Sequence, residues 1–384
     1  MGIAQQTNSE LMPVLKKGEI YLKKIERLKP TKADNCWDFI KRLRVLHKKY
    51  GKKHLVKEKK ICDGRFTDRW QDLHQVATDL YALGFYLKQP TKIKRKHCIA
   101  LCKAWEAAGF AASAIANKKT GLRTILAWSG RVAVLDDIKL EDLFEYPKCI
   151  YRPTKTKVDK SMSAGMSNVD LEAMFGIDLQ TPRVLWDTLP SIVLEHLHQE
   201  IKKRQAGGMK NKQRDERFVL MLELILLFGL RTREAAFFNA SKDIAYDGKC
   251  RMVKIHVRKQ GAKGARTRTV DIYEPRQVEL LKRLKNISHI RDMLMLGDSK
   301  SIQSWLAQFY KFTAKNGLTK ENNMQPYSLR HEFAQSLLEF YTGEPSPVRA
   351  NGKTLDKRLL KDAKSIVSSQ LGHHRPSITG AYIG

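Results

Sequence analysis

Apolar residues recur every three or four positions through three stretches between Thr67 and Trp128: DRWQDLHQVATDLYALGF, KIKRKHCIALCKAWEAAG and AASAIANKKTGLRTILAW. That period predicts three amphipathic helices, closed by Gly84, Gly109 and Gly130, with Pro90 between the first two. The preceding sixty residues show helix-like spacing interrupted by Pro30 and Gly51, and read as short basic helices or a partly ordered arm. Between Tyr151 and Pro182 the chain is polar (RPTKTKVDKSMSAGMSNVD), which predicts a linker with a short helix near Leu171 to Phe175.

A second patterned region begins near Trp186. WDTLPSIVLEHLHQEIKKRQ predicts a helix, GGMKNKQRDER a basic loop, and FVLMLELILLFGL, apolar nearly all round, a buried helix. Val253, Ile255 and Val257 then alternate with Lys254, His256 and Arg258, as a half-buried strand requires. A Gly-rich basic turn (KQGAKGAR) leads to TRTVDIY, which alternates again, so the pair predicts a β-hairpin. Helices resume after Glu274. The fold class is therefore mainly α with a small β-hairpin or sheet. It divides into a basic arm or extra DNA-binding region over 1–64, a helical domain over 65–150, a linker over 151–184 and a second domain over 185–384.

Length agrees with more than one domain, since 384 residues exceed most single cores. No apolar run reaches the roughly eighteen residues of a membrane span, and MGIAQQTNSE lacks the order of a secretory signal. A cytoplasmic protein on the prokaryotic nucleoid, with no membrane partner, is expected. The six cysteines are scattered, with one C-x3-C pair (Cys98, Cys102), which favours reduced core thiols over a zinc site. Charge changes the picture most. Lys and Arg number 71 against 40 Asp and Glu, a net charge of +31 spread along the whole chain, and this implies a polyanionic partner. Nucleic acid fits that spread better than a membrane surface does.

Five places carry candidate chemistry, and each has an ordinary structural reading when taken alone. Arg231 follows the buried helix in FGLRTREA, where Glu234 one turn on could hold its guanidinium. Lys263 stands in the hairpin turn. Arg330 opens a helix in PYSLRHEFAQ, an electrically unfavourable place for a cation without an anion. His373 and Tyr382 lie in the terminal LGHHRPSITGAYIG.

In this order the set resembles the tyrosine recombinase (phage integrase) family. That family places an Arg after a buried helix (GLRTREA), a Lys in a β-hairpin (KGARTRTV), an H-x-x-R box (YSLR, Tyr327 to Arg330), an L-G-H box (LGHH) and a Tyr nine residues later, here Tyr382. The motifs cover residues 186–384, and residues 67–128 loosely resemble the family's helical core-binding domain. The resemblance implies a DNA strand-exchange enzyme working through a 3'-phosphotyrosyl bond, with neither metal nor nucleotide cofactor. It implies Arg231 and Arg330 gripping the scissile phosphate, Lys263 as general acid with Lys259 as a substitute, His373 assisting and Tyr382 as nucleophile. Tyr327 replaces the usual His and a phenol is a poor proton shuttle at neutral pH. TGEPSPVRANGKTLDKRL lengthens the segment between Arg330 and His373. His331 and His374 fall outside the family's catalytic positions and read as structural or surface residues.

The implied partner is double-stranded DNA, held as in a clamp largely through phosphates, with Lys92, Lys94, Arg95, Lys96, Lys118, Lys119 and Arg123 as candidate contacts. A homotetramer on two DNA sites, with a possible accessory DNA-bending protein, follows from the same resemblance, as does integration and excision of a mobile element. Chromosome-resolution recombination and type IB topoisomerase-like nicking and resealing are the alternatives within this chemistry. A metal-dependent nuclease would need clustered carboxylates, which the sequence does not show.

Overall fold

In the computed structural model the described residues are 30–53, 60–61, 63–150, 160, 189–203, 208–299, 301–319, 325–350, 355–373 and 375–384. The linker 151–184, apart from Lys160, lies outside them, as do residues 1–29 of the N-terminal arm, Trp186 and His374. The chain forms two compact units, Met1–Arg152 and Pro153–Gly384.

In the first unit the helical period becomes four main helices, α1 (Pro30–Tyr50), α2 (Asp63–Ala82), α3 (Arg95–Ala107) and α4 (Ala112–Trp128), followed by the one-turn helices α5 (Ala133–Asp136) and α6 (Leu140–Leu143). Pro30 does not break a helix but starts one, where its missing N–H costs nothing. α1, assigned by sequence to the arm, sends Cys36, Phe39 and Leu43 into the same core as Leu73, Val76 and Leu80 of α2. The Tyr81 hydroxyl donates to the Cys36 carbonyl across them at 3.1 Å. Trp105 and Leu101 of α3 and Leu122, Ile125 and Leu126 of α4 complete the core. Asp79 is the polar centre of this interior. It accepts from Trp105 Nε1 at 2.8 Å and from Lys118 Nζ at 2.7 Å, so each buried polar group has a partner. Cys98 and Cys102 are free, and burial pushes both thiols up to about 12.

In the second unit α7 (Leu189–Lys203) packs on α8 (Gly208–Phe228), in which the basic stretch expected as a loop is helical from Gly208 and runs straight into the apolar segment. The short α9 (Thr232–Ala236) follows, then β1 (Ile244–Tyr246), β2 (Met252–Val257) and β3 (Arg268–Asp271). The expected hairpin is one half of a three-stranded antiparallel sheet in the order β1-β2-β3, with Ile255 opposite Val270 and Ile244 opposite Ile255. β1 spans three residues, too few for alternation to show in the sequence. α10 (Pro275–Asn286), α11 (Ser288–Arg291), α12 (Ile302–Lys315), α13 (Pro326–Thr342), α14 (Lys357–Gln370) and α15 (Pro376–Ile383) complete the unit. α13 is central: Leu329, Phe333, Ala334, Leu337 and Leu338 join α8 residues from Phe218 to Phe228 in one core, with α14 and α15 packed on α13. Each such large apolar side chain contributes about 1.5–3 kcal/mol by burial. Among the described residues no helix is long and apolar enough to cross a membrane.

Gly229 ends α8 in the left-handed region (φ 57°), and a Cβ there would lie 2.3 Å from Phe333 Cδ1. Its carbonyl accepts a hydrogen bond from Arg330. Gly229→Ala is therefore expected to cost about 2–4 kcal/mol through clash and backbone strain. Thermal unfolding of the variant checks this; an unchanged Tm would contradict it.

Candidate active site

Two chain reversals build the site. At the first, Gly229 turns the chain so that Arg231 caps α9, its backbone N–H donating to Glu234 Oε2 at 2.8 Å. At the second, Leu371 caps the end of α14 and Gly372 takes up the left-handed region (φ 67°), while the His373 N–H returns to the Ser368 carbonyl at 2.8 Å. A Cβ on Gly372 would lie 2.8 Å from Arg268 Cδ, so the glycine in the L-G-H box leaves room for that side chain. Both reversals free a carbonyl, and Arg330 takes both. Its guanidinium donates to the Gly229 carbonyl and, at 2.6 Å, to that of Leu371.

Three guanidiniums converge on one carboxylate. Arg231 donates to Glu234 Oε1 at 2.7 Å, and Arg268 forms a two-pronged fork to both Glu234 oxygens at 2.8 Å each. Arg330 lies 3.9 Å from Glu234 Oε2. Arg268 Nε also donates to the Gln370 carbonyl at 2.8 Å, tying β3 to the end of α14. Burial alone would raise the Glu234 carboxyl, but the Arg268 fork, then Arg231 and Arg330, hold it down at about 2. Burial, then the charges of Arg330, Arg231 and Arg268, push the His373 imidazole down to about 3. It is therefore neutral at ordinary pH. With three guanidiniums facing one carboxylate, two positive charges remain unneutralised in the cluster.

Tyr382 lies against this charge. α15 is held to α13 by Gln335 Nε2, which donates to the Tyr382 carbonyl at 3.2 Å. The Tyr382 side chain is 4% exposed; its hydroxyl accepts from Arg330 Nε at 3.5 Å and is hydrogen-bonded to the Tyr327 hydroxyl. His331 stacks on the Tyr382 ring with centroids 4.4 Å apart, and the His373 ring lies 5.2 Å away, its Nδ1 bonded to Thr379 Oγ1 at 3.2 Å. Loss of hydration, then the Tyr382 hydroxyl, pushes the Tyr327 phenol above its ordinary range, although the residue as a whole is 47% exposed.

Of the six site residues expected from sequence, Arg231, Tyr327, Arg330, His373 and Tyr382 thus meet in one place. Lys263 is exposed on the turn between β2 and β3, as is Lys259. Two residues of the cluster escaped the sequence reading. Arg268, which the motif KGARTRTV contains without singling it out, shares the inward face of β3 with buried Val270, a signal present in the alternation. His331 is buried against Tyr382, so of its two sequence readings the surface one fails. In the first unit Lys92, Lys94 and Lys96 are exposed, Arg95 is paired with Asp142 at 3.0 Å and Arg123 with Asp136 at 2.6 Å. Lys118 points inward to Asp79, and half-buried Lys119 lies over the Phe144 ring. Among the described residues no group of His, Cys, Asp and Glu is placed to hold a metal ion.

The cluster thus gathers an excess of positive charge around a phenol, an arrangement able to hold an anion. The comparisons give the chain a family: a phage integrase N-terminal model matches residues 52–135 and an integrase model residues 195–336. The chain belongs to the tyrosine recombinase (phage integrase) family, whose enzymes cleave and rejoin DNA. The second match ends before His373 and Tyr382. The chain is also similar to XerH site-specific recombinase bound to its difH substrate, at 14% identity over 99% of this chain and 95% of that one, with a TM-score of 0.45. A second similar structure is the Tn1549 transposon integrase in complex with circular intermediate DNA, at 13% identity over 91% and 95%, with a TM-score of 0.44. No curated protein sequence matches the chain.

The two perturbed groups make acid sensitivity a readout of the cluster. Glu234, held below its ordinary 4.5, adds stability above that pH and loses it as pH falls toward 2. His373, held below its ordinary 6.5, costs stability as pH falls from 6.5 toward 3, because the unfolded chain takes up a proton that the fold refuses. Tm should fall continuously below pH 6.5. His373→Gln should flatten the upper part of that fall, and Glu234→Gln should cost about 3–5 kcal/mol at pH 7 by leaving three cations without their anion. A pH series of thermal unfolding curves checks both, and curves parallel to the unsubstituted protein's would contradict the assignment.

Proposed function

We propose that the chain is a site-specific DNA recombinase in which Tyr382 attacks a backbone phosphorus, forming a 3'-phosphotyrosyl bond and freeing a 5'-hydroxyl. The observation that carries this reading is the Tyr382 hydroxyl placed on Arg330 inside a cluster with two uncompensated positive charges. One phosphate ester replaces another, so the bond energy is retained and neither ATP nor a metal is required. A 5'-hydroxyl from a partner duplex then reverses the step.

The obstacle is charge on the non-bridging oxygens as phosphorus becomes five-coordinate. Guanidiniums suit it because they stay protonated and donate paired hydrogen bonds. Arg231, whose side chain is 25% exposed, meets the phosphate first. Arg330 is fully buried, and its Nε comes to the phosphate as the Tyr382 hydroxyl yields its place there. Neutral His373 donates a hydrogen bond rather than a charge. Lys263, on its exposed turn, supplies the proton to the leaving 5'-oxygen when the turn closes on DNA.

The DNA is held by the first unit through exposed Lys92, Lys94 and Lys96, with Arg95, Lys119 and Arg123 able to trade protein partners for phosphates, and with the basic arm adding charge. Two sites are brought together by a homotetramer, and the element moved is a mobile one. A nicked suicide substrate tests the chemistry: wild type should leave a covalent adduct, in EDTA as well as without it. Tyr382→Phe should bind but form none, and Arg231→Ala should bind yet cleave about 100- to 1,000-fold more slowly. Cleavage by Tyr382→Phe at the wild-type rate would overturn the nucleophile assignment. Synapsis of two sites, rather than relaxation of a single duplex, separates recombinase from topoisomerase.

A further inference from the structure

We infer that the segment lengthening the chain after α13 is a strap that sets the height of α15 against the arginine cluster, with Arg349 as its anchor and so a positioning residue for Tyr382. The inference rests on the strand-exchange reading above. α13 ends at Thr342, and Gly343 reverses the chain in the left-handed region (φ 70°). Fully buried Ser346 then opens a turn, its carbonyl accepting from the Ala350 N–H at 2.8 Å and its hydroxyl from the Arg349 N–H at 3.5 Å.

That turn sends Arg349 back onto α13. Its side chain is 3% exposed, and its guanidinium lies 3.2 Å from Glu332 Oε1, on a side chain 2% exposed, and 3.5 Å from Glu339 Oε2. The two glutamates stand two turns apart on one stripe of the helix. For stability alone the pair is a poor choice, because burying it costs hydration that an apolar contact would not. What it supplies is register. A guanidinium shared between two carboxylates fits α13 at one height, whereas an apolar residue could slide along the helix.

The end of α15 rests on that height. Pro347 and Val348 precede Arg349 and face Gly384, two residues beyond Tyr382: a Cβ on Gly384 would lie 3.2 Å from both Pro347 Cβ and Val348 Cγ1. From α13, Gln335, one turn past Glu332, donates to the Tyr382 carbonyl at 3.2 Å. Strap and glutamine are thus both referenced to the helix that carries Arg330, so one rigid element sets the guanidinium and the phenol that meets it. Displacing a reacting group by about 1 Å can slow a reaction about 100-fold.

Single-turnover adduct formation on the suicide substrate, with DNA titrated to saturation and Tm measured in parallel, tests this. Arg349→Met removes the anchor but leaves Glu332 buried without that cation, so it puts folding at risk. Pro347→Gly combined with Val348→Gly keeps the ion pair and removes only the wall against Gly384. In each folded variant the rate at saturating DNA should fall about 10- to 100-fold, while half-saturation moves by less than about twofold and the final yield of adduct holds. A rate within about threefold of wild type in the Pro347→Gly, Val348→Gly protein would overturn the inference, whatever becomes of Arg349→Met. So would a lower yield at an unchanged rate, which would mark the strap as a support for folding only, or a loss of rate that saturating DNA restores, which would mark it as a DNA contact. Absence of an adduct from wild type itself would instead sink the strand-exchange reading.

Discussion

The Glu234 carboxylate is the constraint on which the second unit's chemistry depends. Three guanidiniums confined to one interior would repel each other and lose their hydration, and one anion placed among them makes the arrangement tolerable. Its partners come from three separate parts of the chain: Arg231 at the start of α9, Arg268 on β3 and Arg330 in α13. Closing that group of charges draws together elements whose sequence separation reaches about a hundred residues, as the bond from Arg268 to the Gln370 carbonyl shows. The same carboxylate is one charge against three, so the cluster it organises keeps a net positive charge. Stability and a net positive charge therefore come from one arrangement, balanced by how many cations a single acid can hold.

The backbone takes part as much as the side chains. Arg330 is fixed by two carbonyls, each left free where a glycine ends a helix. A guanidinium fixed in this way loses little freedom when a substrate arrives, which is the condition for preorganised stabilisation of charge in a transition state. α15 then delivers a phenol to that fixed point, held by Gln335 through its backbone and by His331 through its ring.

Much of this was legible in the sequence, and the parts that were not share a cause. Period and alternation gave the helices of the first unit, the buried α8 and two of the three strands. β1 is shorter than the window in which alternation becomes visible, and Pro30 reads equally as a helix stop and a helix start. At the site, the arginines and the late tyrosine stood out because their spacing resembles a known family's, and the Glu234 partner of Arg231 followed from helix geometry. The Arg268 fork did not, because it joins residues 34 positions apart through a sheet register that only the fold sets. The hydroxyl pair of Tyr327 and Tyr382, 55 positions apart, was hidden for the same reason. Local physics names the candidate groups, and tertiary packing decides which of them touch.

The account's central claim is that this cluster exists to activate Tyr382. Mapping the covalent attachment tests it most directly: the trapped protein–DNA adduct is digested with a protease and the nucleotide-bearing peptide sequenced by mass spectrometry. The account predicts that the nucleotide sits on Tyr382, in the C-terminal peptide. Attachment at Tyr327 or at any other residue would contradict it.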